Sequence, residues 1–186
     1  MLKFILGATG HGKINHALNE TIKNANDKKV LIISYELTTG RIVSRISKIL
    51  NFYNHVSPKE IRIIGGISLS EMSICKEYDV VSFLGWMPPF SDKFSLQTAT
   101  ESYKLILTGM NELSSDKLIL ATIQTYCGIG RKLGDVRDKF FSSNFETSDN
   151  LDHVYIFRDP ENDKFNVMSF HSKTVDAYSQ SDFFLD

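Results

Sequence analysis

The sequence predicts an α/β fold with a mainly parallel central sheet, flanking helices and a C-terminal β-hairpin. Short β-branched runs alternate with segments of helical periodicity along most of the chain, which is typical of a parallel sheet. Two late strand patterns are separated only by the turn-forming residues 159–163, which predicts a hairpin. The 186 residues, 42% of them hydrophobic, suffice for one core, and no linker or repeat divides them. We therefore expect a single domain over residues 1–186.

Seven short apolar runs predict strands. Most are rich in β-branched or aromatic residues, as expected for strands that are buried on both faces. Glycine or proline bounds several of them, such as Gly65 and Gly66 after the third run and Pro88 and Pro89 after the fourth. The predicted strands cover residues 2–6, 30–34, 61–64, 80–87, 118–123, 153–157 and 165–170.

Three segments between these runs predict helices. Residues 13–26 mix polar and apolar residues directly after a glycine-rich turn. Thr38 is a suitable N-cap for a second helix that ends near Asn51, because isoleucines recur after it at helical spacing. Residues 95–113 form a third and longer helix candidate.

Charge and cysteine content exclude several classes of protein. Lys and Arg total 21 against 22 Asp and Glu, so the net charge of −1 gives no chain-wide cationic field for nucleic acid. Cys75 and Cys127 cannot form a disulfide framework, and the first residues lack the features of a secretory signal. No apolar run approaches the roughly 20 residues of a bilayer span. We expect a cytoplasmic protein with no membrane role.

A phosphate-binding loop is predicted at residues 7–13, which match the pattern G-x-x-x-x-G-K between a strand and a helix. Backbone N–H groups of such a loop cradle phosphates, and Lys13 reaches the β and γ groups. The alternative is a glycine-rich turn without a ligand. The last motif position, normally Ser or Thr, is Ile14, which has no oxygen for Mg²⁺. The candidate nucleotide-binding residues are Gly7, Ala8, Thr9, Gly10, His11, Gly12, Lys13 and Ile14.

Glu36 comes directly after the second predicted strand. A carboxylate at the carboxyl end of a parallel strand lies beside the phosphate loop, where it can orient an attacking water. The alternative is a solvated residue at the start of a loop. No metal site is predicted from histidine or cysteine spacing, and the histidines near Lys13 and in the late strands are interpreted as structural.

Residues 12–46 resemble the ATPase core of DnaB-like replicative helicases, the hexameric RecA-fold family. Ser34-Tyr35-Glu36-Leu37 and Arg45 take the places of that family's Ser-x-Glu-Met and helical Arg. The resemblance continues through residues 80–87, 121–133 and 134–159, so it covers essentially the whole chain. It implies a RecA-like P-loop NTPase fold that binds ATP or another nucleoside triphosphate.

The resemblance also implies roles for individual residues. Glu36 takes the place of the catalytic base and Gln124 that of the γ-phosphate sensor. Lys173 stands where the family has a Lys-x-Arg that reaches the neighbouring subunit's site, but it lacks the planar fork of an arginine finger. Residues in the following glycine-rich segment take the place of loops that touch single-stranded DNA: Arg131, Lys132 and Arg137.

Both groups that position Mg²⁺ in the family are missing on this pairing. Ser82 replaces an Asp and Ile14 replaces a hydroxyl, so a bound Mg²⁺ is doubtful. Two alternatives remain open: Mg²⁺ is held by water and by Asn15 or Ser82, or a shifted register gives Asp79 the role of the Asp.

We therefore expect a nucleotide-binding protein that is impaired in ATP hydrolysis and acts as an accessory or regulatory factor in DNA replication or recombination on single-stranded DNA. One alternative is an active small DNA-dependent ATPase or helicase, and another is a non-enzymatic interaction module. The expected partners are single-stranded DNA, replication or helicase-type proteins, and further copies in a homo-oligomer or ring. The 186 residues leave no room for the family's N-terminal domain and linker helix, which would weaken ring assembly.

Overall fold

The structure is a computed structural model. It describes nearly all of the first 86 residues and, beyond them, a short helical segment and four strands. The described residues are 1–7, 10, 12–86, 109–110, 112–124, 151–158, 165–171 and 174–180. Within them, side chains are described as far as residue 122, apart from those of Leu6, Leu69 and Trp86.

Eight strands of the described chain form one sheet. They are β1 (Leu2–Gly7), β2 (Lys29–Ser34), β3 (Glu60–Gly65), β4 (Val80–Trp86), β5 (Leu118–Gln124), β6 (Leu151–Arg158), β7 (Phe165–His171) and β8 (Thr174–Gln180). Their order is β3-β2-β4-β5-β1-β6-β7-β8, with parallel pairing from β3 to β6 and antiparallel pairing beyond. The predicted α/β fold with a mainly parallel sheet and a C-terminal hairpin is confirmed.

All seven predicted strands are present, with ends that differ by at most two residues from the prediction. The eighth strand, β8, was not predicted, because its sequence TVDAYSQ contains no apolar run. An antiparallel edge strand needs only one partner and is not required to be apolar throughout, so such a strand has a weak signal in the sequence.

In the described part of the chain, two α-helices and a 3₁₀ helix cover the faces of the sheet, besides a short helical segment near residue 110. They are α1 (Lys13–Lys23), α2 (Thr39–Phe52), which begins after Thr38 as predicted, and the 3₁₀ helix Leu69–Glu77. Of the third predicted helix, residues 109–110 and 112–113 are helical, and residues 95–108 and 111 lie outside the described residues. None of the helices in the described part of the chain has the length and apolar character that a membrane span needs.

The predicted extension of the first helix to residue 26 is wrong. The side-chain amide of Asn24 donates to the carbonyl oxygen of Glu20 at 2.8 Å, which closes the last turn. Asp27 then adopts a φ of 55°, a left-handed conformation that Asp tolerates better than most residues. The chain therefore turns after Lys23 toward β2, although Ala25 is still buried in the core.

The 3₁₀ helix was also missed, because its residues show no helical periodicity. It begins at a capping box in which the Glu71 carboxylate accepts from the Ser68 N–H at 2.8 Å and from the Ser68 hydroxyl at 2.7 Å. The spacing Ser-x-x-Glu was the available signal in the sequence.

Two apolar layers lie on opposite faces of the sheet over β1 to β5, the strands whose side chains are described. The layer under α1 and α2 includes Ile5, Ile32 and Leu120, and the opposite layer, toward the 3₁₀ helix, includes Leu31 and Phe83. Consecutive residues of β2 are buried on opposite faces, which explains why this strand reads as one continuous apolar run. Each such side chain contributes about 1.5–3 kcal/mol through burial.

A buried chain of hydroxyl groups joins α1 to β4. Thr21 donates to the carbonyl oxygen of Ala17 at 2.6 Å, and its Oγ1 lies 2.5 Å from the Ser82 Oγ. Because the Thr21 proton is directed to Ala17, Ser82 is the donor to Thr21. Thr21 lies eight residues beyond Lys13, about 12 Å along the helix at 1.5 Å per residue. Ser82 therefore faces the second half of α1, away from residues 7–13, and the alternative in which it holds Mg²⁺ there is wrong.

Removing either hydroxyl should have unequal effects on stability. In Thr21→Val the Ser82 hydroxyl loses its buried acceptor, so we expect a loss of about 1–3 kcal/mol in the free energy of unfolding. In Ser82→Ala the Thr21 hydroxyl keeps Ala17 as its partner, and we expect a smaller loss. The double variant should lose less than the sum of the two. Urea unfolding of the three variants tests this order, and additive losses would contradict the hydroxyl chain.

His16 is buried on α1 with 4% of its surface exposed. Burial lowers its pKa to about 4; the charge of Glu20 raises this pKa, and those of Lys3 and Lys23 lower it further. A salt bridge between Lys3 and Glu20 at 3.2 Å lies beside it. The interpretation of this histidine as structural agrees with its burial.

Acid should destabilise the protein as the pH falls through the range from 6.5 to about 4. In that range His16 is protonated in the unfolded chain but stays neutral in the folded protein, so the unfolded state binds more protons. Between pH 7 and pH 5 we expect a loss of about 2 kcal/mol. Urea unfolding at both pH values measures it. His16→Gln, which does not titrate, should lose much less, and an equal loss would assign the acid sensitivity to other groups.

Candidate nucleotide-binding site

The loop between β1 and α1 has the backbone conformation that its glycines allow. Gly10 and Gly12 adopt φ values of 80° and 76°, and a Cβ at either position would meet no atom within 4 Å. The left-handed conformation, and not crowding, is what favours glycine here. Gly12 is the N-cap of α1. Because glycine has no side chain, it gives no side-chain hydrogen bond to the first N–H groups of the helix, which point toward the loop. Such N–H groups bind anions.

Lys13 opens α1 and is buried, with 5% of its surface exposed. Burial lowers the pKa of its ammonium, and the negative charge of Glu36 opposes that shift. Within the part of the chain that the structure describes, the ammonium makes no hydrogen bond or ion pair. A buried ammonium is costly unless an anion accompanies it. The loop thus holds a positive charge where a phosphate group would stabilise it.

Glu36 lies in a turn that follows β2 directly. The Ser34 hydroxyl donates to the carbonyl oxygen of Leu37 at 2.8 Å and accepts from its N–H at 3.0 Å, which closes this turn. The N–H of Tyr35 donates to the carbonyl oxygen of Leu84 at 2.9 Å, so the turn is also fastened to β4. The sequence prediction that Glu36 stands at the carboxyl end of β2 agrees with this geometry.

Gly85 lies directly beneath the Glu36 side chain. A Cβ at this glycine would come within 2.1 Å of the Glu36 Cγ and 2.5 Å of its Cδ. Gly85 has a φ of 71°, and its N–H donates to the buried Thr122 hydroxyl at 2.6 Å, at an irregularity in the pairing of β4 with β5. The carboxylate thus occupies the space that a side chain at the end of β4 would fill. Sequence reasoning missed this glycine, since the contact joins distant segments.

Tyr35 lies beside Glu36 at the carboxyl ends of the parallel strands, and it was not identified from the sequence. Its ring lies against Gly66, where an added Cβ would be 2.5 Å from the Tyr35 Cδ1, and its hydroxyl donates to the carbonyl oxygen of Ile67 at 3.2 Å. Partial burial raises the pKa of this phenol. Tyr35 as a whole remains 41% exposed, and this aromatic residue adjoins Glu36.

The positions considered for Mg²⁺ do not supply the expected ligands. Ile14 packs in the core, and the Asn15 Oδ1 accepts from the Arg45 Nη1 at 2.6 Å. Ser82 is buried under the second half of α1, as described above. Asp79 precedes β4 at the amino edge of the sheet, where it accepts from the Lys29 N–H at 2.9 Å, so the alternative register that used it is wrong. Among the described residues no three His, Cys, Asp or Glu side chains cluster around a common point.

A single carboxylate does fit a magnesium–nucleotide site. Mg²⁺ commonly takes one or two protein carboxylates, with substrate phosphates and water as its other ligands. Glu36 is the carboxylate at the carboxyl edge that acts electrostatically on Lys13.

The structure brings part of the predicted site together. Gly7, Gly10, Gly12, Lys13 and Ile14 lie at the junction of β1 and α1, and the charge of Glu36 acts on Lys13. The backbone of Gln124 is aligned with Gly7, although its side chain is not described. The other predicted residues lie outside the described residues and stay predictions: Ala8, Thr9, His11, Arg131, Lys132, Arg137 and Lys173.

Comparison with known proteins identifies the fold. No family model matches the chain, and no curated protein matches its sequence. Solved structures do match it. One is the ATPase domain of G40P, with a TM-score of 0.67 and 14% sequence identity over 96% of this chain and 80% of that chain. At this identity the likeness concerns the fold alone, and the fold of this protein is RecA-like.

Proposed function

We propose that this protein binds a nucleoside triphosphate, with ATP as the first candidate, at residues 7–14 and hydrolyses it slowly. We further propose that it acts as an accessory or regulatory factor on single-stranded DNA in replication or recombination. The observation that carries the proposal is the buried Lys13 ammonium at the start of α1, beside left-handed glycines.

Phosphate binding follows from the charges at this edge. The amino end of a helix carries a partial positive charge of about 0.5, and Lys13 adds a full charge close to it. Because the ammonium is largely removed from water, its attraction for a phosphate is weakly screened. The likeness to an ATPase domain supports a nucleotide as the source of that phosphate.

Slow hydrolysis follows from what the site lacks. Neither Ile14 nor Ser82 offers a metal ligand beside the loop. Lys173 lacks the bidentate fork of an arginine finger, a group worth about 10³–10⁵ in rate. With both contributions weakened, phosphoryl transfer loses much of its electrostatic stabilisation.

The DNA and partner proposals rest on the resemblance to replicative helicase cores. Arg131, Lys132 and Arg137 form a basic, glycine-containing segment of the kind that touches the backbone of single-stranded DNA. With a net charge of −1, contact with DNA would be confined to such a segment. Homo-oligomers, rings and complexes with replication proteins in the cytoplasm belong to the same proposal.

Replacing Lys13 should abolish high-affinity nucleotide binding. We expect Lys13→Ala to bind a fluorescent ATP analogue about 30-fold more weakly or worse, because loss of a buried charge partner costs about 2 kcal/mol or more. Lys28→Ala is the matched control, since Lys28 is exposed in the turn before β2. Unchanged affinity in Lys13→Ala would overturn the site.

The same titration separates the alternatives. Binding with little turnover, with or without single-stranded DNA, supports the proposal. Rapid turnover stimulated by DNA would instead identify an active ATPase or helicase, and the absence of binding in the wild-type protein would favour an interaction module.

Single-stranded DNA binding should weaken steeply with salt. The logarithm of the affinity should fall with the logarithm of salt concentration by about 0.7 for each phosphate neutralised. Arg131→Ala/Lys132→Ala should therefore reduce the slope by about 1.4. Arg41→Ala/Lys48→Ala, which removes two exposed cations of α2, should leave it unchanged. A flat salt response in the wild-type protein would contradict DNA contact by this segment.

A further inference from the structure

Gly85 creates a space at the end of β4, and Glu36 fills it. The Glu36 Cγ and Cδ lie 2.1 and 2.5 Å from where a Cβ of residue 85 would be. Distances this short cannot coexist with any side chain at that position. The Glu36 carboxyl group thus lies close to where a side chain projecting from the carboxyl end of β4 would be.

The end of β4 is held in place by its own hydrogen bond. The Gly85 N–H donates to the Thr122 hydroxyl at 2.6 Å, and Thr122 is completely buried. The turn that carries Glu36 is fastened from the other side, through Ser34 and through the bond from Tyr35 to Leu84. The position of the carboxylate over Gly85 is therefore set by two fixed segments of backbone.

The usual P-loop arrangement holds Mg²⁺ with a hydroxyl after the loop lysine and an Asp on a neighbouring strand. This chain has an isoleucine at the first position and no acidic residue in β4. A carboxylate that reaches the end of β4 from β2 offers the same donor chemistry there. Mg²⁺ needs only one or two such ligands when the nucleotide supplies phosphate oxygens.

We propose that Glu36, seated over Gly85, holds the divalent cation of a bound magnesium–nucleotide in place of an acidic residue of β4. This inference rests on the proposed nucleotide binding. It gives Glu36 a role other than that of a general base, because a carboxylate bound to a cation is a weaker proton acceptor. Glu36 then binds the cation, and no carboxylate is left to act as the general base for the water that attacks the γ-phosphate.

The experiment measures the affinity for a fluorescent ATP analogue with Mg²⁺ and with EDTA. For the wild-type protein we expect binding about tenfold tighter with Mg²⁺. Glu36→Gln keeps the size of the side chain but removes its charge, so this Mg²⁺ dependence should disappear. Its affinity in EDTA should be unchanged or higher, because the carboxylate no longer repels the phosphates. Glu77→Gln, at an exposed position, is the matched control and should behave as the wild type.

The outcomes separate this inference from the proposed function. Equal wild-type affinity with Mg²⁺ and EDTA would overturn the cation role of Glu36 and leave nucleotide binding intact. Mg²⁺ dependence that persists in Glu36→Gln would assign the cation to another ligand and would also overturn it. If the wild-type protein bound no nucleotide in either condition, the proposed function itself would be contradicted.

Mn²⁺ supplies a readout that does not depend on turnover. In electron paramagnetic resonance, the signal of free Mn²⁺ should fall further with wild-type protein and a non-hydrolysable ATP analogue than with the analogue alone. We expect markedly less depletion with Glu36→Gln than with Glu77→Gln. Equal depletion with the two variants would contradict the proposal, and circular dichroism checks that both are folded.

Discussion

Parallel pairing of β1 with β5 and of β2 with β4 is the constraint on which the candidate site depends. The register aligns Gly7 with Gln124 and Ser34 with Leu84, so these strands end at one edge of the sheet. The segments that leave them must turn at that edge, which brings the loop after β1 and the Glu36 turn to the same end of the sheet. The apolar layers on both faces hold the register, because a slip by one residue would exchange the faces of a strand.

Features set by local chemistry could be predicted from the sequence, and those set by register could not. The buried strands have continuous apolar runs, and the loop glycines recur at the spacing that predicts a phosphate-binding loop. The contact of Glu36 with Gly85 joins residues of two strands and depends on how β4 ends against β5. A glycine within an apolar run gives no sign of what approaches it, so this part of the site became visible only in the structure.

Ser82 shows the same limit in a different way. The resemblance in sequence paired it with the Asp that positions Mg²⁺ in the family. A residue can match a motif in sequence and still lie at a different position along the strand. The hydrogen bond to Thr21 places Ser82 two turns along α1 from Lys13. There the two buried hydroxyl groups satisfy each other, and neither is left to bind a metal. The observed strand ends differ slightly from the predicted ones, and β8 was missed, for a related reason. The ends of a strand depend on the neighbouring strands, and a polar edge strand has no strong hydrophobic pattern in its sequence.

The balance of charge at the carboxyl ends of the parallel strands links the buried Lys13 to the proposed cation. Among the described residues that act on one another there, Lys13 and Glu36 carry one charge of each sign, which nearly cancel. A nucleoside triphosphate brings several negative charges, and without a cation it would be attracted by the ammonium and repelled by the carboxylate. A divalent cation on that carboxylate, as proposed, would reverse the repulsion, and the same two side chains would then favour the cation–nucleotide complex over the bare nucleotide. The RecA-like scaffold fixes where these charges meet, whereas the residues at its edge determine the chemistry that follows.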